Sequence, residues 1–195
     1  GGGGRRAPQP FSRPVAVTAS MLHAESEVSV MGNDGDSGEM VSGDALTEML
    51  ADRFRELLEG APEGKPVWTI SGGKESALYG SIEGISAEQA SREVNGTTLA
   101  AHVEHVRWAL QLVNDYFDGV AARPAWSESW QVSGVDEAAW NELRSGLRAT
   151  GDTLLANILS RQRWNDDMAM NGALASLAHT AYHLGAVRQL LKAVA

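Results

Sequence analysis

Apolar residues recur at three- and four-residue steps from residue 44 onward, and this spacing predicts amphipathic α-helices. The first run extends from Leu46 to Leu58, and Asp44 is its expected N-cap. Its predicted buried side consists of Leu46, Met49, Leu50, Phe54, Leu57 and Leu58. Pro62 and Pro66 then end the helical pattern, because proline disrupts a helix interior.

Two shorter helical patterns occupy the segment before residue 97. A helix is predicted over residues 75–83. Ser86 and Gln89 have the spacing of a capping box, so a helical turn should begin there. The Asn95-Gly96 pair is typical of a tight turn, which should separate this segment from the longer helices that follow.

Three longer helices are predicted in the second half of the chain. Thr98 should cap a helix that reaches about Phe117, and the last helix should run from about residue 166 to the C-terminus. Between them, Ser133 and Asp136 have capping-box spacing at the start of a third helix. The predicted buried side of that third helix consists of Trp140, Leu143, Leu147, Leu154 and Ile158.

These patterns predict an all-α fold, a four-helix bundle with a long crossover between its second and third helices, over residues 119–134. The bundle should occupy residues 44–195. Residues 1–43 begin with four glycines and contain three prolines, with few apolar residues at a regular spacing. We therefore expect residues 1–43 to be a disordered or non-native leader.

Composition narrows the classes of function. The chain has no cysteine, which excludes disulfides, thiolate metal ligands and a cysteine nucleophile. Its formal net charge of −9 argues against binding to nucleic acid or to an anionic membrane, since both require clustered positive charge. No apolar run has the length of a membrane span, and we expect a cytoplasmic protein.

Four of the five histidines form two close pairs, His102 with His105 and His179 with His183. The second pair has the i, i+4 spacing that places two side chains on one face of a helix. At roughly 100° per residue, that face also carries Val187, Leu190 and Val194, and it should be buried. His102 falls in one stripe with Leu99, Val106 and Val113, whereas His105 lies roughly 60° away, towards the edge.

Inward-pointing imidazoles need polar partners, because an unpaired buried polar group costs about 1–3 kcal/mol. One alternative is that each imidazole is neutral and hydrogen-bonded within the protein, without a metal. Three inward-pointing histidines favour a divalent metal site with His102, His179 and His183 as ligands. Imidazole is a good ligand for zinc and for nickel, so either ion is expected. Three protein ligands leave coordination positions open to water or substrate. On this arrangement His102→Ala should abolish tight metal binding, whereas His105→Ala should weaken it modestly or not at all.

Four further residues are candidates for the surroundings of this site. His105 and Tyr182 would line the pocket or hydrogen-bond to the ligands, and His105 could also carry a proton. Trp126 and Trp130 lie in the long connection. They either cover one end of the bundle as packing or line a substrate pocket above the metal.

Two segments carry a resemblance to a known family. Thr98-Leu-Ala-Ala-His102-Val and His179-Thr-Ala-Tyr-His183-Leu-Gly185 resemble the DinB/YfiT-like superfamily of bacterial metal-binding bundles. The resemblance covers roughly residues 44–195. It implies a four-helix bundle with a long second-to-third crossover and a three-histidine site matching His102, His179 and His183. Many relatives have glutamine after the glycine, whereas this chain has Ala186, which removes a polar group beside the ligands.

The resemblance implies a metal-dependent enzyme, either a small-thiol S-transferase or a hydrolase. Its substrate would be a small molecule such as a low-molecular-weight thiol, activated as a thiolate on the metal, and a homodimer would be in keeping with such a protein. The alternative is a non-catalytic bundle that uses the metal as a structural staple or senses a small ligand. The two hypotheses differ in geometry, because an enzyme needs a site open to a pocket and a staple is closed.

Overall fold

The computed structural model describes residues 41–70, 73–120, 124–161, 164 and 167–194, so the predicted leader falls outside it except for residues 41–43. Over these residues the protein is helical and contains no β-strand, which confirms the all-α class for the described part of the chain. The helices are α1 Gly43–Glu59, α2 Leu78–Ser81, α3 Ala87–Ser91, α4 Leu99–Phe117, α5 Glu137–Leu159 and α6 Asp167–Val194, with 3₁₀ turns at Lys74–Ser76 and Glu128–Trp130.

The four long helices pack around a shared hydrophobic core. Helix α4 contacts α5 and α6, and α1 contacts the same two helices. The residues expected on the inner side of α5, from Trp140 to Ile158, are buried as predicted, and so are Val187, Leu190 and Val194 of α6. In α1, Met49 was expected in the core but is 48% exposed. Among the described helices, none combines the length and apolar composition that a membrane crossing requires.

Side-chain caps set where the long helices begin. Thr98 caps α4 as predicted, with its hydroxyl accepting a hydrogen bond from the backbone N–H three residues further on, at 3.1 Å. Two other expected caps are wrong. Ser42, not Asp44, caps α1, and Asp44 lies in the first turn. Asp136 alone caps α5, without the expected contribution from Ser133.

The segment between α1 and α4 differs from its prediction in one place. The helix expected over residues 75–83 is divided, because Ala77 adopts an extended conformation between the 3₁₀ turn and α2. This break brings Leu78 and Tyr79 into the core, where the Tyr79 hydroxyl donates to the Arg148 carbonyl of α5 at 3.4 Å. The capping box of Ser86 and Gln89 is present as predicted.

A buried carboxylate holds residues 68–70, in the irregular segment after α1. Glu56 is fully buried, and its Oε1 accepts hydrogen bonds from the backbone N–H groups of Trp68, Thr69 and Ile70 at 2.8, 2.6 and 3.1 Å. Its Oε2 lies 2.5 Å from the Arg53 guanidinium. Burial alone would raise the pKa of Glu56, but the three backbone donors outweigh it and lower the pKa below its ordinary value. Residues 68–70 are thereby fixed against α1.

Candidate metal centre

Helices α4 and α6 bring four imidazoles together. His102 and His105 lie in the first two turns of α4, and His179 and His183 lie one turn apart on α6. Because α4 and α6 pack directly against each other, the two histidine pairs meet between them. The rings of His179 and His183 are 4.4 Å apart between centroids, and those of His105 and His183 are 4.6 Å apart.

Three of the four histidines could hold a metal ion. His105, His179 and His183 each offer a ring nitrogen, and these nitrogens all lie within 4.8 Å of one another. The Nε2 atoms of His105 and His179 are 3.0 Å apart. Two nitrogens bound to one tetrahedral zinc at about 2.0–2.1 Å would be about 3.3 Å apart, so small side-chain movements would suffice. The spacing and the donor atoms therefore fit a divalent ion.

His102 occupies a different position from the one expected for a central ligand. Its Nδ1 lies 2.9 Å from Nδ1 of His183, so it contacts the cluster, but it is not one of the three histidines whose nitrogens converge. Two of the predicted ligands, His179 and His183, are together, and His105 takes the third position in this geometry. The assignment of His102 as a ligand stays a prediction.

His105 is as deeply buried as His102, although the helical wheel places it towards the edge of the apolar stripe. Its side chain is 4% exposed, compared with 8% for His102. The apolar stripe on a helical wheel predicts only which face of α4 packs against other helices. It cannot show that a connecting segment covers a neighbouring face. The 3₁₀ turn Glu128–Trp130, in the connection between α4 and α5, packs on α4 and covers the face that carries His105.

Two tryptophans of this connection lie against the histidines. The Trp130 ring stacks on His105 with centroids 4.0 Å apart, and it meets His102 edge-on at 5.3 Å. The Trp126 ring lies 6.0 Å from His105 and 6.1 Å from His179. Both tryptophans remain partly exposed, at 48% and 42% for Trp126 and Trp130, so they separate the imidazoles from solvent without closing over them.

Tyr182 makes little contact with the histidine cluster, whereas Ser129, which was not among the predicted site residues, is in direct contact with it. Tyr182 is 72% exposed and meets His183 only edge-on, with centroids 5.0 Å apart. Ser129, which the sequence analysis did not single out, is fully buried, and its Oγ lies 2.7 Å from Nδ1 of His105. No sequence signal distinguishes Ser129, because it is one of several serines in a connection of irregular structure.

The environment keeps the imidazoles uncharged. Burial lowers the pKa of all four histidines below the ordinary value. Burial, followed by the proximity of the other imidazoles, lowers the pKa to about 4 for His105 and to about 3 for His183. The neutral imidazole is the form that binds a metal ion, so near neutral pH no proton has to be removed before binding.

A cleft of about 440 Å³ adjoins the histidine cluster on the side of His102. His102 and Trp130 form part of its wall, and Thr97 and Thr98 lie alongside them. The Oγ1 atom of Thr97 is buried and has no hydrogen-bond partner within the described part of the chain. Glu93, at the same cleft, contributes the one carboxylate among its lining residues.

Comparison of the chain with family models, with curated proteins and with solved structures gave no match.

Proposed function

We propose that this protein binds one divalent metal ion between α4 and α6 and is a metal-dependent enzyme of the DinB/YfiT-like type that acts on a small thiol. The observation that carries the proposal is the convergence of His105, His179 and His183, whose ring nitrogens lie within 4.8 Å of one another. The family assignment itself is supported by the sequence resemblance around His102 and around His179 and His183.

Zinc or nickel is the proposed ion, because neutral imidazole suits both. The spacing favours His105, His179 and His183 as ligands, and the family resemblance favours His102 in place of His105. When bound, such an ion supplies a Lewis acid that lowers the pKa of a thiol or water molecule. No thiolate ligand comes from the protein, since the chain has no cysteine, and a thiolate in the site would belong to the substrate.

The cleft reaches the cluster at His102, the ligand that the family resemblance favours, and with that ligand set it supports an enzyme over a closed structural site, since a catalytic metal site must remain open to substrate. His102 lines this cleft, and its Nδ1 is in contact with Nδ1 of His183. Trp130 provides an apolar wall that excludes water from one side of the imidazoles.

The alternative is a non-catalytic bundle in which the metal acts as a staple or the site senses a small ligand. The pairwise contacts among the imidazoles, His102 with His183 and His105 with His179, instead favour a third alternative, in which the histidines are hydrogen-bonded within the protein and hold no metal, because they satisfy ring nitrogens at the cluster without an ion. The two functions differ in whether an added ligand can reach the metal.

Metal content and thiol access can be measured on one preparation. Purified untagged protein should contain about one divalent ion per chain by elemental analysis. The double variant His179→Ala/His183→Ala should contain none, because it removes ligands common to both proposed sets. His23→Ala, a histidine outside the described residues, is the matched control and should keep the ion.

Replacing the ion with cobalt(II) then distinguishes an open site from a closed one. For an enzyme that takes a thiol, adding a small thiol should produce a thiolate-to-cobalt charge-transfer band. A protein that binds cobalt but shows no spectral change with any small thiol would support the staple. A protein without metal, which also gains no thermal stability from added zinc or nickel, would refute the metal site itself.

A further inference from the structure

Ser129 occupies a particular position behind the histidine cluster. It lies in the 3₁₀ turn Glu128–Trp130 and is fully buried. Its Oγ is in contact with two groups at hydrogen-bond distance. One is Nδ1 of His105 at 2.7 Å, and the other is the backbone carbonyl of Trp126, also at 2.7 Å.

The available protons fix the direction of both hydrogen bonds. A carbonyl oxygen can only accept, so the Ser129 hydroxyl must donate its single proton to Trp126. The hydroxyl oxygen then has only acceptor capacity left for His105. The contact with His105 therefore requires a proton on Nδ1 of the imidazole, which donates to Ser129.

This proton assignment determines the chemistry at the other end of the ring. A neutral imidazole carries one proton, so with Nδ1 protonated the Nε2 atom of His105 has a free lone pair. That Nε2 atom faces Nε2 of His179 at 3.0 Å, inside the cluster. In the metal-free protein His179 must supply the proton of this contact, and its Nε2–H donates to the lone pair of His105.

We infer that Ser129 is a positioning residue that selects the Nδ1–H tautomer of His105 and so directs the Nε2 lone pair into the metal site. The predicted effect of Ser129 on metal affinity rests on the proposed function, whereas the assignment of the His105 tautomer does not depend on a metal. Outer hydrogen-bond partners of this kind orient metal-ligating histidines in proteins. Trp130, stacked on His105 with an interplanar angle of 19°, holds the plane of the same ring.

The tautomer can be observed directly in the metal-free protein. Long-range ¹H–¹⁵N correlation spectra at neutral pH distinguish a protonated from an unprotonated nitrogen in each imidazole. For wild type, the Nδ1 of His105 should be the protonated nitrogen. A His105 that carries its proton on Nε2 would overturn the inference, whether or not the protein binds metal, and this measurement requires no variant that might fold poorly.

Ser129→Ala and Ser127→Ala make a matched pair for the affinity. Both remove one hydroxyl from the same connection, but Ser127 is exposed and its side chain makes no capping hydrogen bond to the 3₁₀ turn. Ser129→Ala should shift His105 towards the Nε2–H form and weaken zinc binding by about 10–100-fold, the effect typical of losing an outer partner of a ligand. Ser127→Ala should leave both unchanged.

The outcomes separate this inference from the proposed function. Wild type that shows the Nδ1–H tautomer but binds no zinc would refute the metal site and retain the role of Ser129 in proton placement. Wild type that binds zinc, together with a folded Ser129→Ala variant of unchanged zinc affinity and unchanged His105 tautomer, would overturn the role of Ser129 and leave the metal site intact. Equal weakening by Ser127→Ala would also overturn it.

Discussion

Substitution of Glu56 should destabilise the protein far more than substitution of any exposed glutamate on the same helix. Glu56 is fully buried in α1, and one of its oxygens accepts three backbone hydrogen bonds from residues 68–70. Glu56→Ala removes that acceptor, so the three backbone N–H groups lose their hydrogen-bond partner. Glu59, in the last turn of α1, is exposed and provides the matched control.

The expected magnitude follows from the burial of each donor. The Ile70 N–H is buried, and leaving it unsatisfied costs about 1–3 kcal/mol. Trp68 and Thr69 are exposed, so water can partly replace their lost bonds, at about 0.5–1 kcal/mol each. Glu56→Ala should therefore lower the free energy of unfolding by about 2–5 kcal/mol. Glu56→Gln keeps an acceptor oxygen but loses its charge, and should cost about 1–2 kcal/mol.

Urea unfolding, followed by circular dichroism at fixed metal concentration, measures these differences. Glu59→Ala should change the free energy of unfolding by no more than about 0.5 kcal/mol. The folded-state pKa of Glu56 is lowered, so its charge stabilises the fold above the unfolded value of 4.5, and that contribution is lost as the pH falls through the folded pKa. The difference between wild type and Glu56→Gln should shrink accordingly in acid. Equal stabilities for the two alanine variants would refute the reasoning.

Two further predictions concern the rest of the chain. Gly151→Ala in α5 should destabilise by about 1–3 kcal/mol, because the added Cβ would overlap the buried Tyr79 hydroxyl. Gly172→Ala in α6 places its Cβ in ordinary contact at 3.8 Å and should be neutral or stabilising, so a comparable loss in both variants by thermal unfolding would contradict the packing argument. Deletion of residues 1–40 should leave the melting temperature nearly unchanged, because that sequence offers few apolar residues at a regular spacing, and a drop of several degrees would show that the segment stabilises the helical domain.

Several features that depend on neighbouring residues in the sequence were predicted correctly, although the caps expected at Asp44 and Ser133 were wrong. Thr98 caps α4, the capping box of Ser86 and Gln89 opens α3, and the buried side of α5 follows its apolar periodicity. These features are local, because a cap and a helix face are determined by residues within a few positions of each other. The i, i+4 spacing of His179 and His183 likewise placed both on one face of α6.

Several features that depend on contacts between distant segments were missed, although the approach of His102 to His183 was expected. The break at Ala77 allows Leu78 and Tyr79 to pack in the core. The spacing of apolar residues within the segment does not predict this burial, because it depends on contacts with other helices. The burial of His105 depends on a 3₁₀ turn about 24 residues away along the chain. Ser129 belongs to that turn, so neither the coverage of His105 nor its hydrogen bond could be read from the α4 helical wheel.

The central claim is a divalent metal site shared by α4 and α6, and zinc affinity by chelator competition tests it most directly. Wild type, His102→Ala and His105→Ala should be compared under the same conditions. The spacing predicts about one zinc per chain for wild type and a loss of more than about 100-fold for His105→Ala, beyond the range for an outer hydrogen-bond partner. His102→Ala should lose less than about 10-fold. A wild type that binds no zinc would contradict the site, and the reverse order of the two variants would instead assign the third ligand to His102.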